Sequence, residues 1–279
     1  MIFLNVKSDF PVEIAEKKLF IIDLDGTIYI DDKLIYNAKG FLSNLKAEGR
    51  EFVFLTNNSS RSKQQYMRKL NSLGLAPREE NIFSSNEATA LYLTQNFAGK
   101  KVLYMGTFDS AKEMKDWGVD ILLPFERNKD KAIDVAVLAY DTGMTYDKLC
   151  VFCLAVRRGI PYISTHPDYN CPSSEGPLPD NGSFIELIKA STGRVPDKII
   201  GKPNHEMIDI LCDKFKVEKK DVAVIGDRLY TDIRMGLDNG ICSILVLSGE
   251  TKECDINSSE YRPDFVIENV GKLYELMVR

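Results

Sequence analysis

The chain has 279 residues, 44% apolar and 28% charged, with a formal net charge of -5 and a pI near 5.3. This is the composition of a soluble globular protein of one large or two ordinary domains, and its acidity excludes a broad nucleic-acid footprint. No apolar run reaches the roughly 20 residues that a membrane helix needs, and Lys7 and Asp9 break the apolar start before it could form a signal-peptide core. Six cysteines are ordinary for this length, so a reducing, cytoplasmic compartment is expected. Cys150 and Cys153 form a C-x-x-C inside the amphipathic helical pattern Thr145–Arg158 and read as buried or idle thiols.

In chain order, residues 1–16 precede the first clear element and carry no assigned role. The run Leu19–Ile22 reads as a buried strand and ends in Asp23-Leu24-Asp25-Gly26-Thr27. A helical pattern over Asn37–Glu48 follows. The run Phe52–Leu55 leads into Thr56-Asn57-Asn58-Ser59-Ser60, and a second helical pattern covers Arg61–Leu73. The middle of the chain has its own strand-like runs, Lys101–Met105, Ile121–Leu123, Ile133–Ala139 and Pro161–Ser164. Helical patterns over Glu87–Asn96, Ser110–Trp117 and Thr145–Arg158 lie between them. The stretch His166–Pro179 contains four prolines and reads as an irregular return linker or substrate-facing loop. Beyond it come Ile199–Ile200 before Gly201-Lys202-Pro203, a helix over His205–Lys216, and Val222–Ile225 before Gly226-Asp227. A helix over Tyr230–Asp238 and the run Ile244–Leu247 complete the pattern. Alternating strands and helices predict a parallel sheet covered on both faces. Residues 85–181 are expected to form an inserted α/β domain, with 1–84 and 182–279 making the core. Ligands bind at the carboxyl ends of strands in such sheets, which groups Asp23, Thr56, Lys202 and Asp227 into one site.

The residue types at those ends suit phosphoryl chemistry on a hard cation. Asp23 and Asp25, two apart at a strand end, point to one side and repel each other unless a cation or a reaction uses them. Asp23 could attack phosphorus as a nucleophile, and Asp25 could protonate the leaving oxygen and later take a proton from water. Both could instead merely cap the turn. Thr56-Asn57-Asn58 precedes a helix, where a hydroxyl and backbone N–H groups suit a phosphate, while Asn58, Ser59 or Ser60 could serve as the helix cap. Lys202 could neutralise Asp23 and the phosphoryl oxygens. Asp227 would add an oxygen ligand for Mg²⁺ beside the Asp23 carboxylate and a carbonyl near Asp25. Asp232 is expected to orient a metal-bound water or Lys202, or simply to favour a helix N-terminus. Arg228 reads equally as a substrate contact or a surface residue. His205 reads as a surface or capping residue and His166 as a residue that could face substrate. Trp117 reads as core of the inserted domain.

In order, Asp23-Leu24-Asp25-Gly26-Thr27, Thr56-Asn57-Asn58, Lys202 and Gly226-Asp227 with Asp232 resemble the four motifs of the haloacid dehalogenase-like hydrolases. The longer stretches Thr56–Ser60, Gly201–Pro203 and Gly226–Ile233 resemble the NagD-like, 4-nitrophenylphosphatase-type branch. The resemblance covers about residues 17–279 and implies an α/β fold, with a Rossmann-like doubly wound parallel sheet core and an inserted α/β cap. It implies Mg²⁺-dependent hydrolysis of small phosphate monoesters, such as sugar phosphates, nucleotides or 4-nitrophenyl phosphate, through an aspartyl-phosphate. Asp23 would be the nucleophile and Asp25 the acid and base. Thr56, Asn57, Asn58 and Lys202 would bind substrate, and Asp23, Asp25 (through its carbonyl) and Asp227 the metal. The resemblance also implies a homodimer through the cap. The chain departs from the pattern in its N-terminal extension and in His166-Pro167-Asp168, where Asn-Pro-Asp is expected. The rival readings are a phosphotransferase or phosphomutase of the same fold and a non-catalytic phosphometabolite-binding protein. The second of these would be expected to lack Asp23, Asp25 or Lys202.

Overall fold

The computed structural model describes residues 1–4, 10–124, 132–171 and 175–279. Its strands, in chain order, begin with β1 (Ile2–Phe3), β2 (Leu19–Ile22), β3 (Glu51–Thr56) and β4 (Ile82–Ser84). The middle of the chain supplies β5 (Lys101–Met105), β6 (Asp120–Leu122), β7 (Val135–Leu138), β8 (Tyr162–Ser164) and β9 (Lys198–Ile199). The last are β10 (Val222–Gly226), β11 (Cys242–Val246) and β12 (Phe265–Ile267). One parallel sheet of seven strands has the order β1-β12-β11-β10-β2-β3-β4; a second, of five, has the order β9-β8-β7-β5-β6. The helices used below are α1 (Ala38–Ala47), α2 (Lys63–Ser72), α3 (Ser85–Asn96), α4 (Phe108–Asp116), α5 (Tyr146–Arg157), α6 (Asn181–Thr192) and α7 (Glu206–Phe215).

The strand β2 is apolar at every position because both its faces are covered. Leu19 and Ile21 join one buried cluster, and Phe20 and Ile22 another. The first cluster does not stop at the seven-stranded sheet. It continues through Ala88 and Leu93 of α3 to Val102, Tyr104, Val135, Val137 and Ile163 of the second sheet. At roughly 1.5–3 kcal/mol for each large apolar side chain removed from water, this shared cluster holds the two sheets against each other.

Three expectations need correction. The chain does not leave the second sheet at residue 181: α6 packs on α5, and β9 pairs with β8 through Ile163↔Lys198 and Ser164↔Ile199. The run at Ile199–Ile200 is therefore an edge strand of the second sheet, a membership set by long-range pairing that two apolar residues cannot encode. The stretch His166–Pro179 is not wholly irregular, since Asn170–Cys171 pairs antiparallel with Leu178–Pro179; Pro172, Ser173 and Ser174 lie outside the described residues. Finally, the N-terminal extension has a structural place. β1 adds parallel to β12, Leu4 is buried, and Ile14, on the short helix Val12–Ala15, is fully enclosed.

Candidate active site

Within the seven-stranded sheet the chain winds outward from β2 through β3 and β4, then resumes at β10 on the other side. β2 and β10 are neighbours, in register at Ile22↔Ile225, so Asp23 and Asp227 leave adjacent strands at the point where the winding reverses. Gly26, at φ +90°, lets the chain turn under Asp227, where a Cβ would lie 2.5 Å from Asp227 Oδ2. A Cβ at Gly226 would lie 2.3 Å from Asp232 Cγ. Asp232 sits in a π-helical turn, Leu229–Ile233, ahead of the α-helix Arg234–Asn239, rather than in the first turn of one continuous helix.

The second sheet delivers the cation. Ile200 and Gly201 continue the β8 pairing through hydrogen bonds to Ser164 and Thr165, and Lys202 follows. Its ammonium lies 2.5 Å from Asp23 Oδ1, 2.7 Å from Asp232 Oδ1 and 3.1 Å from the Leu55 carbonyl, so all three of its N–H groups are used. Ligand oxygens of Asp23, Asp227 and Asp232 lie within 4.8 Å of one another. Three carboxylates against one ammonium leave two negative charges uncompensated when all are ionised. Burial, reinforced by Asp232, pushes the Asp227 carboxyl up to about 7. Burial also raises Asp23, outweighing Lys202 beside it, while Asp232 and Asp227 add to the rise. Burial opposes the charge on Lys202, but Asp23 and Asp232 overcome it and hold the ammonium protonated above its usual range.

Asp227 carries the clearest sign of a missing partner. Its Oδ2 accepts the Glu250 N–H at 2.7 Å, whereas Oδ1 is buried with no hydrogen-bond donor among the described residues. An orphaned carboxylate oxygen, an excess of two negative charges and a donor set made of oxygens fit a hard divalent cation such as Mg²⁺.

Asp25 lies apart from the carboxylate cluster. Burial raises its pKa, opposed by Lys69, Arg61, Arg228 and Lys202. Lys69 stands 3.7 Å over the ring of Tyr29, whose backbone pairs with Asp25. Asp25, Asp23, Thr56, Asn57, Asn58 and Lys202 line a small cavity of about 30 Å³. Asp25 and Asp227 also form one wall of a larger cavity of about 600 Å³, whose other walls include Ile30, Asp31, Asn170, Glu250 and Lys252.

The loop Thr56–Ser60 is held at four successive residues by segments that follow strands of the second sheet. The Asn57 side chain is fully engaged: Nδ2 donates to Asp168 Oδ1 and the Lys202 carbonyl, and Oδ1 accepts the Lys202 N–H. Its amide therefore locates Lys202, and only its backbone N–H remains to meet a phosphate. Asn58 contacts Cys171 Sγ, the Ser59 hydroxyl accepts the Tyr140 N–H, and the Ser60 carbonyl accepts the Thr107 hydroxyl. The cap of α2 is Ser62, in a capping box with Gln65, and not Asn58, Ser59 or Ser60. Thr56 Oγ1 accepts the Asn58 N–H at 3.2 Å and lies 3.4 Å from the Tyr66 hydroxyl.

Arg228 is neither a surface residue nor a free substrate contact. It is buried and bridges Asp168 and Glu250, each at 2.9 Å. His205 is exposed and pairs with Asp209. His166 is fully buried and does not face the cavity. Sequence reasoning missed Thr165 and the roles of Asp168 and Ser59, whose partners lie from 60 to 111 positions away in the chain.

The resemblance in the motifs extends over most of the chain. Residues 20–120 match the haloacid dehalogenase-like hydrolase family, and residues 199–273 match a HAD-hydrolase-like family. An acid sugar phosphatase of Staphylococcus haemolyticus is 31% identical over 254 residues, which is 91% of this chain and 94% of that protein. The chain belongs to the haloacid dehalogenase-like hydrolases. Among solved structures, a 4-nitrophenylphosphatase from Thermotoga maritima is 42% identical, with a TM-score of 0.88 over 94% of this chain and 98% of that one. A protein described as a putative nagD protein is 39% identical, with a TM-score of 0.85 over 95% and 99% of the two chains. Within the family, the chain therefore falls in the NagD-like branch. A glycerol phosphate phosphatase from Mycobacterium tuberculosis, solved with magnesium, is 28% identical, with a TM-score of 0.85 over 94% of this chain and 78% of that one.

Proposed function

We propose that this chain is a Mg²⁺-dependent phosphatase of small phosphate monoesters, with sugar phosphates, nucleotides and 4-nitrophenyl phosphate as the substrates to test. The observation that carries the reading is the cluster of Asp23, Asp227 and Asp232 around Lys202, with the orphaned Asp227 Oδ1 beside a loop suited to phosphate. Relatives named acid sugar phosphatase, 4-nitrophenylphosphatase and glycerol phosphate phosphatase support it.

In this reading the Asp23 carboxylate attacks phosphorus, a bond forms between its oxygen and phosphorus, and the bond to the leaving oxygen breaks. Asp25, whose raised pKa favours keeping its proton, donates it to the leaving oxygen. Asp25 then accepts a proton from water as that water attacks the aspartyl-phosphate, and the Asp23–phosphorus bond breaks to release phosphate. The Thr56 hydroxyl and the Asn57 N–H hold the phosphoryl oxygens, and the Lys202 ammonium offsets their charge. Mg²⁺ would be held by Asp23, Asp227 and the Asp25 carbonyl, and would supply positive charge to the phosphoryl oxygens. Asp232 holds Lys202 in line. The six free cysteines suit a reducing compartment, and a cytoplasmic location is part of the proposal. Tyr146 and Leu154, exposed on one face of α5, offer the cap surface on which two copies would pair. Light scattering that finds Leu154→Glu as dimeric as the parent would reject that face.

The test is phosphate release from a panel of phosphorylated metabolites and 4-nitrophenyl phosphate, with Mg²⁺ and with a chelator. Mg²⁺-dependent turnover is expected; a panel with none hydrolysed would sink the proposal.

A further inference from the structure

His166 is enclosed by polar groups that the proposed reaction does not use. Its Nδ1 lies 2.9 Å from Thr165 Oγ1 and 3.4 Å from Ser59 Oγ, and its Nε2 lies 3.0 Å from Asp180 Oδ1. Ser59 Oγ lies 3.0 Å from Thr165 Oγ1 and accepts the Tyr140 N–H at 2.8 Å. All of Ser59, Thr165, His166 and Asp180 are buried.

The hydrogens in this group can be placed by elimination. With the imidazole hydrogen on Nδ1, the Thr165 hydroxyl would have to turn to Ser59. The Ser59 hydrogen would then lack an acceptor in the group, and a bare Nε2 would face a carboxylate oxygen at 3.0 Å. With the hydrogen on Nε2 every donor has an acceptor. Ser59 Oγ–H donates to Thr165 Oγ1, Thr165 Oγ1–H donates to Nδ1, and Nε2–H donates to Asp180 Oδ1. That oxygen also accepts the Asn181 N–H at 2.6 Å, where Asp180 caps α6. The hydrogen bonds thus run in one direction from the loop Thr56–Ser60 to the start of α6, each polarising the next.

We propose that His166 is a positioning residue for the phosphate loop. Through Thr165 and Ser59 it fixes that loop against the second sheet. Through Asp180 it ties the loop to the ribbon of Asn170–Cys171 and Leu178–Pro179. Asn170 and Pro177 of that segment line the larger cavity, so the walls meeting the two ends of a phosphate ester share one rigid connection. Misplacing loop N–H groups by a fraction of an ångström weakens every bond to the phosphate at once. The proposal rests on reading Thr56–Ser60 as the phosphate loop.

The test uses His166→Ala, Thr165→Val and His166→Gln in the full chain, with 4-nitrophenyl phosphate as substrate, inorganic phosphate as competitive inhibitor, and thermal melts. Glutamine offers an acceptor oxygen and a donor nitrogen spaced much like the two ring nitrogens. His166→Ala and Thr165→Val should raise the KM for 4-nitrophenyl phosphate and the Ki for phosphate together, each about tenfold, while kcat moves less than about threefold. His166→Gln should return both constants to within about threefold of the parent. A lowered melting temperature with both constants unchanged overturns the proposal, as does a fall in kcat at constant KM. If His166→Ala does not fold, Thr165→Val decides, and parental constants in that variant overturn it. Failure of the parent itself to hydrolyse 4-nitrophenyl phosphate with Mg²⁺ would instead count against the phosphatase reading.

Discussion

Two buried clusters in this protein bring metal-ligating side chains equally close, yet they differ in how their carboxylates are met. Asp23, Asp227 and Asp232 lie within 4.8 Å of one another, and so do His166, Asp168 and Asp180. In the second cluster each carboxylate has its hydrogen-bond donors. Asp168 takes Arg228 on one oxygen and Asn57 on the other, and Asp180 takes the His166 ring and the Asn181 N–H. In the first, one lysine faces three carboxylates and Asp227 Oδ1 has no donor among the described residues. Proximity alone does not make a cation site; uncompensated charge and an orphaned oxygen do. The compensated cluster stiffens the scaffold around the uncompensated one.

The sharpest break in the first cluster is Asp23→Asn, which should lower turnover about a thousandfold or more while the protein stays folded. A steady-state assay showing parental turnover would remove Asp23 as nucleophile. The corresponding break in the second is Arg228→Met. It strands the Asp168 carboxylate in the interior and should cost about 3 kcal/mol of stability in denaturant unfolding. An unchanged unfolding midpoint would mean that the pair does not carry the scaffold.

Proton competition distinguishes the clusters more gently. Asp227 holds its proton up to about 7 in the metal-free protein, so lowering the pH through that value should raise the Mg²⁺ concentration for half-maximal activity. The shift should be about tenfold for each pH unit well below 7 if one proton is displaced. A half-saturating concentration that stays level from pH 8 to pH 6 would contradict it.

The smallest effect concerns an acid outside both clusters under the same rule. Glu113 accepts the Lys63 N–H at the start of α2, has one orphaned oxygen, and is pushed up to about 7 by burial. A carboxyl raised in the folded state favours folding below its unfolded pKa near 4.5 and loses that contribution as pH rises through about 7. Glu113 is partly exposed, so screening reduces the effect. Glu113→Gln should gain about 1 kcal/mol over the parent at pH 8 and much less at pH 5 in thermal denaturation. Equal gains at both pH values would show that the carboxyl is not titrating there.

The uncompensated cluster was the more legible in the sequence. Asp23, Thr56 and Asp227 each follow an apolar run that forms a strand of the seven-stranded sheet, and the run predicts the strand to within a residue or two. Local pattern carries that information. The compensated cluster was hardly visible, because it is built from pairings between distant segments: Asn57 with Asp168, Arg228 with Asp168, and Ser59 with Thr165. Lys202 is the instructive intermediate. Its place in the site was evident from Gly201-Lys202-Pro203, but the sheet that carries it depends on whether Lys198–Ile199 pairs with β8 or with the core, a choice made by tertiary packing. The same holds for Asn57, whose side-chain amide locates Lys202 through partners more than a hundred positions away.

Mg²⁺ binding measured by calorimetry on the metal-free parent, Asp227→Asn and Asp180→Asn tests the difference between the clusters most directly. The parent and Asp180→Asn should each bind one ion with similar affinity, and Asp227→Asn should bind at least about tenfold more weakly. Parental affinity in Asp227→Asn together with lost binding in Asp180→Asn would place the cation in the compensated cluster and contradict the account.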